Sequence, residues 1–195
     1  MRALDCFGIN LAGRVCVDLG ASTGGFTDCM LIRGAVKVYA VDVGYGQLDY
    51  RLRCDSRVVV MERTNARNVT RDMFDDAATF VSADLSFISF TKVYPAIKKS
   101  FSPVEGVALI KPQFEAEPGE HEKGVVTQEE NHCVILMRTL KNLSAQGMSI
   151  KGLTHSPITG PKGNIEFLLW YATDPPSEIL PDIAAIVRCA HEKLR

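Results

Sequence analysis

Short β-branched runs alternate with stretches of helical period along nearly the whole chain. Apolar, β-branched positions concentrate at 14–19, 36–42, 57–61, 79–84, 105–111, 148–154 and 164–171, which predicts seven strands. Helical spacing predicts helices over 24–33, 90–100, 128–145 and 180–193. The third of these is the best marked, because Thr127 and Glu130 form a capping box and Gly147 follows its end. Strand–helix alternation of this kind builds right-handed βαβ units, so the fold class is α/β with a doubly wound, mostly parallel sheet. No helix is predicted between the last two strands. A Pro/Gly loop over 155–163 joins them, so the sheet is expected to finish in a C-terminal antiparallel hairpin.

Composition narrows the class without changing it. The chain has 195 residues, 46% apolar and 23% charged, which suits a single domain over 1–195 with a full core. No apolar run approaches membrane-spanning length, and the first residues carry no signal-peptide pattern, so a cytoplasmic location without membrane contact is expected. The six cysteines are scattered without a C-x-x-C pair, and several sit inside apolar runs, as Cys16 does between Val15 and Val17. That argues for buried free thiols rather than zinc or disulfides. His121 has no second ligand at metal spacing, and no metal is expected. A net charge of −1 argues against strong unaided RNA binding but leaves room for a local basic patch.

The sharpest feature runs from Val15 to Thr27: a buried strand, the turn Gly20-Ala21-Ser22-Thr23-Gly24-Gly25, then Phe26 and a helix. Ligands of open α/β sheets bind at the carboxyl ends of strands, near the point where strand order reverses. A dinucleotide loop would read G-x-G-x-x-G, whereas this one reads G-x-x-x-G-G with Asp18 two residues before Gly20. An anion beside pyrophosphate is costly, and beside a sulfonium cation it is favourable. S-adenosylmethionine is therefore preferred to NAD as the cofactor, over a glycine-rich turn with no ligand. With the terminal hairpin, this makes the expected fold a Rossmann-like methyltransferase fold. Asp42 ends the next strand, 22 residues after Gly20, where an acid accepts hydrogen bonds from ribose hydroxyls. The alternative for Asp42 is a turn or cap.

Three further strand ends carry polar groups: Asp84, Lys111 and Glu166, the last within an otherwise apolar run. A bland account is a structural ion pair of Lys111 with Asp84 or Glu166. The other account places Asp84 and Lys111 at the same sheet edge as the glycine loop. There a methyl transfer from sulfonium to a hydroxyl needs a proton acceptor and aligning groups.

Six stretches in order resemble one family. They are 18–28, 39–48, 62–67, 84–89, 109–115 and 156–166. Together they are similar to the TlyA family, historically labelled haemolysins, within the FtsJ-like ribose 2′-O-methyltransferases. The resemblance implies methylation of ribose 2′-hydroxyls in ribosomal RNA, with ribosomal RNA or ribosomal subunits as partner. It also implies that Asp84, Lys111 and Glu166 are the last three members of a Lys-Asp-Lys-Glu tetrad, with Asp84 near the cofactor too. Glu62 or Asn65 is expected near the adenosine, and Asp18, Gly20, Ser22, Gly24, Gly25, Phe26 and Asp42 complete the expected cofactor-binding set.

Two departures accompany the resemblance. The family carries an N-terminal RNA-binding domain and a lysine upstream of the first strand, and no lysine here precedes Lys37. That lysine would help depress the pKa of Lys111. Without it, Lys111 is expected to stay protonated between two carboxylates, with cofactor binding but slow turnover. The alternative function is thus a cofactor-binding remnant or interaction module. Apolar surface left open at the N-terminus would favour a homo-oligomer. Membrane lysis, suggested only by the old family label, finds no supporting segment. A small-molecule acceptor is a further alternative. The arginines Arg51, Arg53, Arg57, Arg63, Arg67 and Arg71 read first as a solvated surface balanced by Asp49, Asp55, Glu62 and Asp72, and second as a phosphate-contacting flank. The polar 115–124 segment is expected to be a mobile lid.

Overall fold

The computed structural model describes residues 2–173 and 181–194. Helix α1 (Arg2–Phe7) precedes β1 (Val15–Leu19), α2 (Gly25–Ile32), β2 (Lys37–Val41), the short α3 (Tyr50–Arg53) and β3 (Val58–Met61). Then come β4 (Phe80–Ala83), α4 (Tyr94–Phe101), β5 (Glu105–Ile110), the short α5 (Pro112–Glu115), α6 (Glu129–Ala145), β6 (Ser149–His155), β7 (Phe167–Ala172) and α7 (Ile183–Leu194). The seven strands form one sheet in the order β3-β2-β1-β4-β5-β7-β6. β1 to β5 are parallel, and β7 runs antiparallel to both β5 and β6. The order reverses between β1 and β4, which puts the expected ligand crevice at their carboxyl ends.

Strand alternation sends side chains to two cores. Val17, Leu19, Tyr39, Val41 and Val81 pack with Ile97, Leu136, Leu140 and Val187 from α4, α6 and α7. Cys16, Val38, Ala40, Phe80, Val107 and Leu168 face Leu4 and Met30 from α1 and α2. Each fully buried leucine or isoleucine in these layers contributes about 1.5–3 kcal/mol.

The structure moves three expected boundaries. The cap of α6 falls on Gln128, so Thr127 and Glu130 do not form the expected box around the first turn. The expected 90–100 helix breaks into a 3-10 turn (Phe90–Lys92) and α4, whose first turn carries Pro95, a residue without an N–H to donate. Glu166 lies just ahead of β7 rather than inside a strand. There Asn164 is diverted to the 124–126 loop, its Nδ2 donating to the Gly124 carbonyl and its Oδ1 accepting from the Val126 N–H. The expected start of the last helix at 180 lies outside the described residues.

The 115–124 segment is tied down rather than free to act as a lid. Glu115 accepts from the Phe90 N–H at 2.7 Å and from the Ser89 hydroxyl. Arg138 grips Glu120 at 2.6 Å, and Glu122 bridges Val125. Burial pushes the Glu115 carboxyl above its ordinary range, against the lowering effect of its two donors.

Candidate active site

The glycine turn follows β1 under tight steric control. Gly20 and Ala21 donate their N–H groups to the Val41 carbonyl, which folds the turn back over β2. Gly20 has φ 81°, and a Cβ there would lie 2.2 Å from the Asp84 carbonyl oxygen. Gly24 caps α2 at φ 101°, with Leu52 occupying the space a side chain would need. Gly25, in contrast, looks onto open space. Ser22 sits at φ 49° and donates its N–H to Asp42 Oδ2 at 2.8 Å, while Gly44 donates to Asp42 Oδ1 at 2.7 Å. Asp42 therefore ties the turn after β1 to the turn after β2. This includes the turn role weighed for it, and a carboxylate has lone pairs left for ribose hydroxyls.

Asp18 is not where a direct contact with a sulfonium requires it. Alternation in β1 points it at α2, it is fully buried, and both its oxygens are taken by hydroxyls. Thr27 donates to Oδ2 at 2.7 Å and Ser82, its neighbour on β4, donates to Oδ1 at 2.9 Å. Asp18 braces the base of the turn instead of facing the crevice. Burial raises its pKa to about 6, against the lowering pull of the Thr27 and Ser82 hydrogen bonds. A carboxyl raised in the folded state binds more protons there than in the unfolded chain, so its contribution to stability is present at low pH. That contribution is lost as pH rises from about 3.8 to 6, and amounts to roughly 3 kcal/mol. Comparing wild-type unfolding with that of Asp18→Asn across this window is expected to show the wild type losing stability relative to the variant. Parallel curves would contradict the burial account.

Glu62 and Asn65 gather on the flank after β3. Glu62 accepts from the Gly46 N–H at 2.7 Å and from the Arg53 guanidinium, and Arg53 holds its carboxyl below the usual range. Asn65 is exposed and caps the 66–68 turn by accepting from Arg67 N–H at 3.0 Å. Thr64 N–H donates to the Asp42 carbonyl at 2.9 Å, so the segment carrying both residues is attached to the Asp42 turn.

The three strand-end groups converge. Lys111 Nζ lies 2.7 Å from Asp84 Oδ1 and 3.2 Å from the Ser86 hydroxyl, with the Phe114 ring 5.9 Å away. Glu166 is buried, which raises its pKa. Gln113, donating to Oε1 at 3.0 Å, and the nearby Lys111 charge pull it back down. Asp84, Lys111 and Glu166, with Ser22 and Phe26 from the glycine turn, line one cavity of about 690 Å³. Its apolar floor is Phe80, Val107, Leu109 and Leu168, on the face covered by α1 and α2. Asp42, Glu62 and Asn65 lie outside that cavity, and Asp18 and Gly20 lie beneath the turn.

Two residues of the site escaped sequence reasoning. Gln113 is the side-chain partner of Glu166, and only its place two residues after Lys111 hints at it. Phe87 is 91% exposed, sits at φ 64° and leans on Phe114 with 5.3 Å between ring centres. A bulky aromatic held in the left-handed region and open to solvent, three residues after Asp84, is a backbone outlier beside the Asp84–Lys111 pair. An aromatic in the middle of the 84–89 loop, between Ser86 and Ile88, was the signal.

A carboxylate–lysine–carboxylate group beside a glycine turn at the switch point is the arrangement that the family comparison explains. The FtsJ-like methyltransferase model matches residues 1–173. The chain belongs to the FtsJ-like methyltransferase family. Hemolysin A of Brachyspira hyodysenteriae is 47% identical over 83% of this chain and 69% of its own length. The 16S/23S rRNA (cytidine-2′-O)-methyltransferase TlyA of Mycobacterium tuberculosis is 46% identical over 88% of this chain and 65% of its own. The chain thus spans about two thirds of the length of these relatives. A solved hemolysin-type protein from Streptococcus thermophilus superposes with a TM-score of 0.95 at 42% identity, covering 98% of this chain and 71% of that one.

S-adenosylmethionine is the cofactor that goes with membership of this FtsJ-like family. The turn fits it in part: Ser22 and Phe26 face the cavity and Asp42 stands at the neighbouring strand end, whereas Gly24 and Gly25 open onto a separate cleft beside Thr23, Asp28 and Asp49. No helix among the described residues is long and apolar enough to cross a membrane, and none of their His, Cys, Asp and Glu side chains group as a metal site.

Proposed function

We propose that this chain transfers a methyl group from S-adenosylmethionine to a ribose 2′-hydroxyl of ribosomal RNA. The observation that carries this reading is the Asp84–Lys111 pair at 2.7 Å with buried Glu166 on the wall of the same cavity that the glycine turn enters. The TlyA relative is named for cytidine 2′-O-methylation of ribosomal RNA, which supports the acceptor class. Family membership favours an enzyme over a binding remnant.

When bound, the donor supplies a methyl group on a cationic sulfur. Ser22 and Phe26 would hold it at the turn, and Asp42 would accept from its ribose hydroxyls. Lys111, fixed by Asp84 and Ser86, donates a hydrogen bond that aligns the acceptor oxygen. The acceptor hydroxyl would lose its proton as it takes the methyl group, and Glu166 on the cavity wall is the group placed to receive that proton. Glu166, raised by burial, accepts a proton more readily than an exposed carboxylate does. Gln113 holds that carboxylate in place from the opposite side.

Calorimetric titration of S-adenosylmethionine tests the donor half. The wild-type chain is expected to bind, and Asp42→Ala to bind about tenfold or more weakly, since one carboxylate carries both the loop tie and the ribose contact. Equal affinity in the two proteins would remove Asp42 from the site.

A further inference from the structure

Five of the six arginines after β2 divide into two sets, and the sixth, Arg71, turns back to donate to the Phe74 carbonyl. Arg51, Arg53 and Arg57 are each matched by a carboxylate: Asp49 at 3.2 Å, Glu62, and Asp55 at 2.7 Å. Arg63 and Arg67 form no ion pair among the described residues, and both are exposed. The Arg63 guanidinium lies over the Tyr45 ring at 4.6 Å, and Tyr45 is itself 70% exposed. Arg63 also occupies the left-handed region at φ 55°, held there by its N–H donating to the Gly44 carbonyl at 3.0 Å. A costly backbone conformation thus presents a stacked cation outside any ion pair, with only the longer-range field of Glu62 beside it, on the flank attached to the Asp42 turn. Lys99 adds an exposed charge on α4, which packs against the 66–68 turn.

From this juxtaposition we infer that Arg63, Arg67 and Tyr45 form a landing surface for the phosphodiester backbone of substrate RNA, leading it into the cavity at Asp84 and Lys111. The inference rests on the proposed RNA methyltransferase function and adds the route. A guanidinium packed flat on an aromatic ring keeps its N–H edge free for bidentate contact with a phosphate, and pays little ordering entropy on binding. The exposed Tyr45 face takes a base or sugar without sequence preference. Net charge over the chain is −1, so this grip is local and depends on keeping these two arginines out of ion pairs.

Fluorescence anisotropy with a labelled single-stranded oligocytidylate, read across a salt series, tests it in the full chain. The Arg63→Gln/Arg67→Gln double variant is expected to bind S-adenosylmethionine as the wild type does. Its log affinity against log salt should be shallower by about 1.4, two phosphates at about 0.7 each. The compensated pair, Arg51→Gln/Arg57→Gln, should keep the wild-type slope. An unchanged slope in the first variant, or an equal loss in the second, overturns the landing surface while leaving methyl transfer to RNA untouched. A wild-type chain that binds the donor yet neither binds nor methylates RNA overturns the landing surface and the proposed function together.

Discussion

Lys111→Ala is expected to reduce methyl transfer by about a hundred- to ten-thousand-fold while leaving S-adenosylmethionine binding intact. The separation follows from position. Lys111 sits at the Asp84 side of the cavity, 2.7 Å from Asp84 Oδ1, and makes no hydrogen bond to the glycine turn or to Asp42. Removing it leaves Asp84 and buried Glu166 on the cavity wall with no cation between them. Two carboxylates then confront an attacking oxygen that is itself gaining negative charge. Single-turnover rates, with calorimetry on the same protein, measure both quantities. A variant that loses donor affinity as steeply as rate would make Lys111 part of the cofactor site. A variant with full rate would reduce the Asp84–Lys111 pair to the structural ion pair that the sequence also allowed.

The second large effect is structural. Gly20→Ala is expected to cost roughly 3–5 kcal/mol, a large share of a typical domain's stability, because two penalties add. The residue occupies φ 81°, and its new methyl carbon would meet the Asp84 carbonyl oxygen at 2.2 Å, which is backbone and cannot rotate away. Moving that carbonyl moves Asp84. Gly25→Ala is the matching control, since nothing lies within 4 Å of a Cβ there and the position begins a helix. Urea unfolding is expected to show the first variant strongly destabilised and the second as stable as the wild type or slightly more so. Titration of the second then reads the cofactor alone: weakened binding in a stable protein reports a ligand lying on the open side of Gly25. Equal stability of Gly20→Ala and the wild type would mean that the turn does not close on Asp84.

The parts of this protein that sequence made visible are those set by short-range rules. Period-two and period-3.6 patterning marks all seven strands and the four main helices, and the missing helix between the last two strands marks the antiparallel hairpin. The glycine turn and the convergence of Asp84, Lys111 and Glu166 on one cavity were equally visible, because polar residues at the ends of apolar runs stand out. Direction within the site was not visible. Alternation along β1 decides that Asp18 faces Thr27 and Ser82 rather than the crevice, and that depends on which sheet face α2 covers. The 115–124 segment looked free because its anchors, Arg138 and the Phe90 N–H, lie more than a dozen residues away in sequence. The arginine cluster could be counted in the sequence. Its division into members inside and outside ion pairs depends on side-chain pairing that composition does not contain.

The most direct test of the central claim maps methyl groups on RNA. The purified chain, in excess over unmethylated ribosomal subunits, is incubated with S-adenosylmethionine, and 2′-O-methylation is read from resistance to alkaline cleavage. Excess enzyme under single-turnover conditions makes slow transfer as visible as fast. The account predicts a ribose 2′-O-methyl group that appears with the wild-type chain and is absent with Lys111→Ala. A chain that binds the donor but leaves every ribose unmethylated, or that methylates equally well without Lys111, would contradict it.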